Sequence, residues 1–234
     1  DFKALRYLTS PNMVISDSEN HFPGVQNPGP FLNFNPFSSR CCQHNHTQGW
    51  PYFVENLWMA TPDNGLAAVI YSPSMVNAQV GNNTNVSITN NTNYPFSDNM
   101  VFEIKTDKSD FFPIYFRIPS WSEESKVFIN GKKVSTRISS GKYIKIFRSW
   151  SDGDTVKLVF PRDIFVKKWE QNHNSVSVNY GPLTFSLNIK ERYVEKSSVK
   201  TGINGSRWQD SVNEEEWPTY EIYPDSDWNY GLIL

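Results

Sequence analysis

Cysteine is scarce in this sequence: its 234 residues include two, and these two are adjacent, Cys41 and Cys42. Adjacent cysteines rarely bridge to each other, because a disulfide requires Cα atoms roughly 4.4 to 6.8 Å apart and a neighbouring pair would need a strained turn. A structural disulfide is therefore not expected. The pair is either two small half-buried thiols or a thiolate site.

The sequence also lacks a large excess of either charge and any long apolar run. Its 22 basic and 24 acidic residues give a formal net charge of -2, and no run of Lys or Arg concentrates positive potential in one segment. Nucleic acid and anionic membranes are therefore not expected as partners. No apolar run approaches the roughly 18 residues that a membrane-spanning helix needs.

Several catalytic motifs are missing as well, namely a Gly-rich phosphate loop, a G-x-S-x-G elbow and an H-E-x-x-H zinc motif. Carboxylates that could serve glycoside hydrolysis lie in predicted turns or on strand faces, where a solvated surface charge is the commoner role. They are Asp63, Glu103, Asp107, Asp110, Asp152 and Asp154.

Tryptophans that could stack on sugars are more often core or interdomain residues in a sandwich. They are Trp121, Trp150, Trp169, Trp208 and Trp228.

Aromatic residues are abundant, with 16 Phe, 11 Tyr and 8 Trp, and this composition favours β architecture. From Leu66 onward, apolar and polar residues alternate with a period of two in short runs separated by turn residues. Nine runs qualify as strands: 66–71, 76–80, 85–89, 101–106, 114–118, 127–130, 143–147, 155–160 and 175–179. They predict an antiparallel β-sandwich. Asn130-Gly131 predicts a type I′ hairpin turn, and 181–187 predicts a further strand.

The remaining segments are predicted from turn residues and helical spacing. Residues 1–40 contain five prolines and are expected to form extended loop. Between Cys41 and Ala60, apolar residues at helical spacing from Trp50 to Trp58 predict one amphipathic helix, in which Pro51 is tolerated only in the first turn. Residues 191–218 are polar and acidic and predict a surface excursion.

Motifs spread over most of the chain resemble the β-L-arabinofuranosidase family, glycoside hydrolase family 127 and its relatives. The resemblance begins with Arg40-Cys41-Cys42-Gln43-His44-Asn45 and continues through Asp63-Asn64-Gly65-Leu66. It extends, in the family's order, through Phe116-Arg117-Ile118-Pro119-Ser120-Trp121, Arg148-Ser149-Trp150, Gly153-Asp154, Tyr180-Gly181-Pro182-Leu183 and Trp228-Asn229-Tyr230-Gly231-Leu232. Gln43-His44 stands where prolines commonly follow the pair.

This resemblance implies an (α/α)6 barrel with the active site, followed by β-sandwich domains. It implies that Cys41 is the nucleophile of a retaining mechanism and that Cys41 and Cys42 both bind zinc. Zinc would hold the sulfur as a thiolate at neutral pH. The family's other zinc ligands and its acid/base glutamate lie well upstream of the pair, so this chain alone is expected to have neither tight zinc nor hydrolase activity.

These features predict two segments in the chain, and they leave more than one function open. Residues 1–62 are expected to be the C-terminal remnant of the barrel, and 63–234 a β-sandwich region of one or two sandwiches. The first residue is not Met and the chain ends in apolar residues, so we expect a piece of a longer protein, although a processed chain is an alternative. Its partners would be an oligo- or polysaccharide and the missing N-terminal barrel, in the bacterial periplasm or outside the cell. A non-catalytic carbohydrate-binding or structural module, or a degenerate homologue, is the alternative.

Overall fold

The structure is a computed structural model of the chain, and it describes residues 5–7, 14–15, 17, 31–34, 40–196, 219–228 and 230–231. Of residues 5–7, 31–34, 40–44, 46, 196 and 219 it describes the backbone alone. Two compact units are present, one formed by 1–50 with 187–234 and the other by 51–186. The predicted boundary between residues 62 and 63, and the barrel origin of the first segment, stay predictions.

The one helix among the described residues, α1 (Arg40–Glu55), begins earlier and ends earlier than the apolar spacing predicts. Pro51 lies inside this helix, so the expectation that it belongs to the first turn is wrong. Trp58–Thr61, predicted as helix, forms strand β3 instead. The reason is tertiary pairing, because Trp58 to Thr61 are hydrogen-bonded antiparallel to Ala68 to Gly65.

The unit 51–186 contains two sheets that face each other. Sheet B has the order β11-β8-β4-β3 and sheet C the order β10-β9-β12-β7-β6-β5. The strands of sheet B are β3, β4 (Gly65–Ala68), β8 (Asp110–Arg117) and β11 (Tyr143–Trp150). The strands of sheet C are β5 (Ser74–Val80), β6 (Thr84–Asn91), β7 (Asn99–Thr106), β9 (Lys126–Ile129), β10 (Lys132–Lys133) and β12 (Thr155–Val159). All neighbours are antiparallel except β4 and β8, which run parallel with Leu66 opposite Ile114.

The core lies between these two sheets, and the predicted β-sandwich is confirmed. Alternate residues point inward, as on β7, where Met100, Phe102 and Ile104 are buried and their neighbours are exposed. Phe102 of sheet C meets Phe116 of sheet B with ring centroids 5.0 Å apart. Such paired aromatic rings contribute packing beyond the area that they bury.

The Asn130-Gly131 turn has the predicted geometry. Both residues have positive φ, 49° and 78°, and they connect β9 to β10 with Ile129 opposite Lys132. Asparagine and glycine tolerate this left-handed conformation better than other residues, so the type I′ prediction is confirmed.

Two further sheets complete the described structure. Sheet D consists of β13 (Ile164–Trp169), β14 (Ser175–Tyr180) and β15 (Leu183–Thr184), and β13 was not predicted. Sheet A has the order β1-β2-β17-β16, with β1 (Leu5–Tyr7), β2 (Phe31–Phe34), β16 (Glu191–Lys196) and β17 (Thr219–Pro224). The predicted loop over 1–40 is therefore wrong at β1 and β2. Within the predicted surface excursion over 191–218, residues 191–196 form a strand whose described side chains are mostly exposed, and 197–218 lie outside the described residues. In both cases the pairing partner is distant in sequence, as with Tyr220 opposite Asn33.

The strands predicted from period two all occur, each within a few residues of its expected bounds. The predicted strand over 181–187 is shorter, since β15 ends at Thr184, although the amide of Phe185 still donates to the carbonyl of Val178 at 2.9 Å. Within the described part of the chain, no helix has the length and apolar character required to span a bilayer.

Candidate functional site

The cysteine pair lies in the first turn of α1, which begins at Arg40. The backbone of Cys41 and Cys42 is described, but their side chains lie outside the described part of the structure. The first turn of a helix directs free backbone N–H groups and positive potential outward, and this favours an anionic sulfur. The nucleophile and zinc roles of the pair stay predictions.

The donor chemistry of this pair suits zinc but supplies half of a site. Two thiolates are soft ligands that Zn²⁺ prefers, and a protein site normally uses three or four protein ligands. Among the residues whose side chains are described, no group of three or more His, Cys, Asp or Glu could hold a metal ion. A zinc site that includes this pair would need further ligands from elsewhere.

A groove opens on the outer face of sheet B, on the side away from the sandwich core. Its volume is about 460 Å³, and we call it the sheet B groove. Its lining residues are Thr61, Pro62, Asp63, Ala67, Tyr115 and Tyr143. Small-molecule sites in proteins occupy about 300 to 1,000 Å³, so the groove has the capacity of a small ligand site.

The groove exists because β4 is built from small residues between strands with larger ones. Gly65 and Ala67 occupy the outward positions of β4, and Ala67 has Met59 on one side and Tyr115 on the other. At Gly65 a Cβ atom would lie 2.2 Å from the carbonyl oxygen of Pro113, so no larger residue fits there. The small residues of β4 therefore form a low floor, and the aromatic side chains on the neighbouring strands form the walls.

Asp63 is the electrostatic centre of the groove. One carboxylate oxygen accepts hydrogen bonds from the hydroxyl of Tyr115 at 2.7 Å and from Nζ of Lys145 at 2.8 Å, and the other accepts from the hydroxyl of Thr61 at 2.6 Å. The Lys145 ammonium and these hydroxyl donors hold the pKa of the Asp63 carboxyl well below its usual value. The same hydrogen bond to Asp63 raises the pKa of Lys145. The pair is ionised at neutral pH.

Exposed aromatic rings extend the groove along β8 and β11. Nζ of Lys145 lies 5.4 Å from the ring centroid of Tyr115 and 6.0 Å from that of Phe147. Phe147 in turn lies 6.0 Å from Phe111, and these two phenylalanines are 62% and 61% exposed. Tyr143, opposite Arg117 at the other end, is 46% exposed. Aromatic rings exposed to this extent on one sheet face are typical of a binding surface.

Two of the other candidate carboxylates are structural. Asp110 accepts from the amide of Asn82 at 2.7 Å and from the hydroxyl of Thr84 at 2.6 Å, and these hydrogen bonds lower its pKa. Asp154 is buried and accepts from the side chain of Asn130 at 2.6 Å. Both carboxylates tie turns to neighbouring strands, and the expected role of a solvated surface charge is wrong for the buried Asp154.

A second depression, on sheet C, is polar. Its volume is about 520 Å³, and within it the side-chain amide of Asn85 donates to Asp107 at 2.7 Å while the amide of Thr106 donates to Asp152 at 3.1 Å. Glu103 is exposed on the same outer face. Its lining residues include no aromatic side chain.

The predicted tryptophans fall into different environments. Trp150 is buried, donating from its indole N–H to the carbonyl of Phe112 at 3.0 Å, and Trp121 packs edge-on against Phe160. Trp169 and Trp228 are exposed, and Trp208 lies outside the described residues. Sequence reasoning missed Tyr115, Tyr143 and Phe147, although their alternation with buried residues on predicted strands marks them as outward-facing.

The central part of the chain matches a known family. Residues 65–162 match the sequence model of a family described as β-L-arabinofuranosidase, GH127 middle domain. These residues contain β4 to β12, which form most of the sandwich. The resemblance drawn from the sequence motifs is confirmed, while a search of curated proteins found no match.

Solved structures with the same fold include glycoside hydrolases. A GH127 β-L-arabinofuranosidase from Geobacillus stearothermophilus T6 is 22% identical, with a TM-score of 0.57 over 80% of this chain and 35% of its own. A structure described as a glycoside hydrolase is 18% identical, with a TM-score of 0.63 over 94% of this chain and 42% of its own. A GH127 β-arabinofuranosidase is 16% identical, with a TM-score of 0.54 over 84% of this chain and 38% of its own. The chain thus spans less than half the length of each.

Proposed function

We propose that this chain, whose residues 65–162 match the model of the GH127 middle domain, is part of a retaining hydrolase acting on β-L-arabinofuranosyl or similar plant-glycan linkages. The observation that carries the proposal is the order of two features: the matched domain begins at Gly65, shortly after a helix whose first turn contains Cys41 and Cys42. Two of the similar structures are arabinofuranosidases, and this supports the choice of sugar.

In the proposed mechanism Cys41 is the nucleophile. Its thiolate attacks the anomeric carbon, so that a C–S bond forms as the glycosidic C–O bond breaks, and the departing oxygen takes a proton from a general acid. Water then attacks the same carbon, gives a proton to the conjugate base, and releases the thiolate. Two inversions leave the anomeric configuration unchanged. The general acid would be a carboxylic acid upstream of the residues in this chain.

Cys41 and Cys42 would also hold zinc in the longer protein. Bound zinc supplies positive charge that keeps a coordinated sulfur deprotonated at neutral pH. The helix N-terminus acts in the same direction, since Cys41 lies one residue after its start. With two donors from this chain and the others upstream, we propose that the chain alone neither binds zinc tightly nor hydrolyses the substrate. We also place the longer protein in the periplasm or outside the cell, where plant glycans are available.

The test is hydrolysis of an aryl β-L-arabinofuranoside by a longer protein that contains this chain and its upstream region. Cys41→Ala should reduce kcat/KM at least about a thousandfold, because a missing nucleophile cannot be replaced by residual binding. Cys42→Ala should reduce the zinc content measured by mass spectrometry. Mass spectrometry of the enzyme quenched with substrate should place a glycosyl group on Cys41.

A matched control is Gln48→Ala, a change at an exposed position further along the same helix. It should leave kcat/KM within about threefold of the unmodified protein. Full activity in Cys41→Ala would remove this nucleophile from the mechanism. No hydrolysis by a folded, zinc-containing protein would overturn the proposed sugar.

A further inference from the structure

We propose that the sheet B groove binds a neutral saccharide residue, with its ring against Tyr115 and Tyr143 and its hydroxyl groups hydrogen-bonded to Asp63 and Lys145. The saccharide class rests on the proposed function above. The groove itself does not, because all of its lining residues lie in the described sandwich and none belongs to α1.

The shape of the groove suits one or two sugar rings. Its volume is about 460 Å³, with a floor at Ala67 and aromatic walls at Tyr115 and Tyr143. A sugar ring has C–H faces that pack on an aromatic ring and hydroxyl groups around its edge, so a site for it combines a flat apolar wall with polar groups at the rim. Tyr143 is partly exposed and positioned to provide such a wall.

The polar groups of the groove have hydrogen-bonding capacity that a sugar can use. A carboxylate offers about four acceptor positions, and Asp63 uses three of them on Thr61, Tyr115 and Lys145. An ammonium offers three donors, and that of Lys145 donates one to Asp63. The groove therefore presents both donors and acceptors to hydroxyl groups, each of which can donate and accept.

The charge of the groove favours a neutral ligand. Nζ of Lys145 and the Asp63 carboxylate lie 2.8 Å apart, so their charges largely cancel toward an approaching molecule. A phosphate or carboxylate ligand would have to compete with Asp63 for Lys145, and a cationic ligand would have to compete with Lys145 for Asp63. A sugar can bind both groups without separating them.

The two outer faces of the sandwich differ in a way that supports this choice. The outward residues on β5, β6 and β7 of sheet C are mainly Asn, Gln, Ser, Thr and charged residues, and none of them is aromatic, while Phe128 on β9 is half-buried. Exposed aromatic rings are concentrated on β8 and β11 of sheet B, around the ion pair. A solvated face requires no such rings, whereas a saccharide site does.

The experiment titrates the full 234-residue chain, and separately the longer protein, with arabino-oligosaccharides and with cello-oligosaccharides, monitored by calorimetry. Tyr143→Ala and Lys145→Gln should each weaken binding of the arabino-oligosaccharide about five- to tenfold. Tyr143→Phe, which keeps the ring, should bind within about twofold of the unmodified chain. An unchanged thermal unfolding midpoint of Tyr143→Ala shows that its loss of binding is not a folding defect.

The matched control is Phe96→Ala, which removes an aromatic ring that is 77% exposed but lies in the loop between β6 and β7. It should leave binding unchanged. Equal affinity in Tyr143→Ala and Phe96→Ala would overturn the proposal, as would the absence of binding by the unmodified chain. The proposal is also wrong if another domain of the longer protein covers Tyr143 in the absence of sugar, because the groove is then not open to a ligand. Hydrolysis is measured separately. Binding in the groove without hydrolysis by the longer protein supports this inference and contradicts the proposed function. Hydrolysis without binding in the groove supports the proposed function and contradicts this inference.

Discussion

Asn130 and Asp154 join two turns of the sandwich through their side chains. The amide nitrogen of Asn130 donates to Asp154 at 2.6 Å, and the amide oxygen of Asn130 accepts from the backbone N–H of Thr155 at 2.8 Å. Asp154 also accepts from the backbone N–H of Ser151 at 2.9 Å. The type I′ hairpin of β9 and β10 is thereby fixed to the turn that precedes β12.

Removal of either partner should destabilise the sandwich. We expect Asn130→Ala and Asp154→Ala each to lower the free energy of unfolding by about 1 to 3 kcal/mol, because the first leaves the buried Asp154 carboxylate without a donor and the second removes the acceptor shared by Asn130 and Ser151. Urea denaturation of the two variants and the double variant measures the coupling between them. Strict additivity of the two losses would show that the contact contributes nothing of its own.

Gly65 should tolerate no side chain. A Cβ atom there would lie 2.2 Å from the carbonyl oxygen of Pro113, so Gly65→Ala must push β4 away from β8. We expect a loss of about 1 to 3 kcal/mol in the free energy of unfolding. The control is Gly49→Ala in α1, where the added methyl group meets nothing within 4 Å and the higher helix propensity of alanine should be neutral or stabilising. Equal effects of the two substitutions would contradict the expected clash.

Asp63 should make stability depend on pH in the acid range. Its folded-state pKa is below the ordinary value of 3.8, so its contribution is fully present above about pH 4 and is lost as the pH falls through the folded-state pKa. We therefore expect the difference in urea midpoint between the unmodified chain and Asp63→Asn to shrink as the pH falls from about 5 to about 2. Glu103→Gln, which changes an exposed carboxylate on sheet C, is the control. A difference that stays constant over this range would show that the ion pair with Lys145 does not stabilise the fold.

Arg162 holds the loop between β6 and β7 against the start of the β13 region. Its guanidinium donates to the carboxylate of Asp98 and to the carbonyl oxygens of Pro95 at 2.7 Å and Phe96 at 3.3 Å. It also lies 4.6 Å from the ring centroid of Tyr180. The arginine side chain is 7% exposed and that of Asp98 is 36% exposed, so the guanidinium end of the ion pair is shielded from water.

We expect Arg162→Met to lower the free energy of unfolding by about 2 to 4 kcal/mol, since it removes a charged partner from a mostly buried network. Arg162→Lys should recover less than half of that loss, because an ammonium cannot reproduce the planar fork of donors. The matched control is Arg148→Met. The ion pair of Arg148 with Asp154 is longer than that of Arg162 with Asp98, at 3.7 Å, and the Arg148 side chain is more exposed than that of Arg162. That change should cost less than about 1 kcal/mol. Thermal unfolding of the three variants gives the comparison, and equal losses at both arginines would contradict it.

The sandwich was predictable because the pattern of each strand is local. On β7 and β11 one face is buried and the other is solvated, so the sequence alternates, and Asn130-Gly131 marks its turn without reference to the rest of the chain. Strand β13 was missed because Ile164 to Trp169 are exposed on both faces and show no alternation. Strand β16 lies in a polar stretch, and its pairing with β17 rests on backbone hydrogen bonds that composition does not reveal.

The two candidate sites were predictable to different degrees. Cys41 and Cys42 were identified by an unusual pair of adjacent residues and by family motifs. The sheet B groove gives no local signal, because Asp63 and Lys145 are 82 positions apart and meet only after four strands have assembled. The helix was misplaced for a similar reason: Trp58 has helical spacing from Trp50, but pairing with Ala68 places it in a strand.

The parallel contact between β4 and β8 has a consequence for how the chain reaches its native state. Leu66 on β4 can pair with Ile114 on β8 only after β5, β6 and β7 have been synthesised. The other edge of β8 pairs with β11, which is synthesised later still. Until β8 follows, one edge of β4 has no partner strand, because β3 pairs with the other edge. Pairing between strands that are far apart in sequence slows folding, and the partly folded chain then exposes surface that is prone to aggregate. A ribosome-released chain truncated before Asp110 should thus be a target for chaperones, whereas one extending through Trp150 can close the sheet.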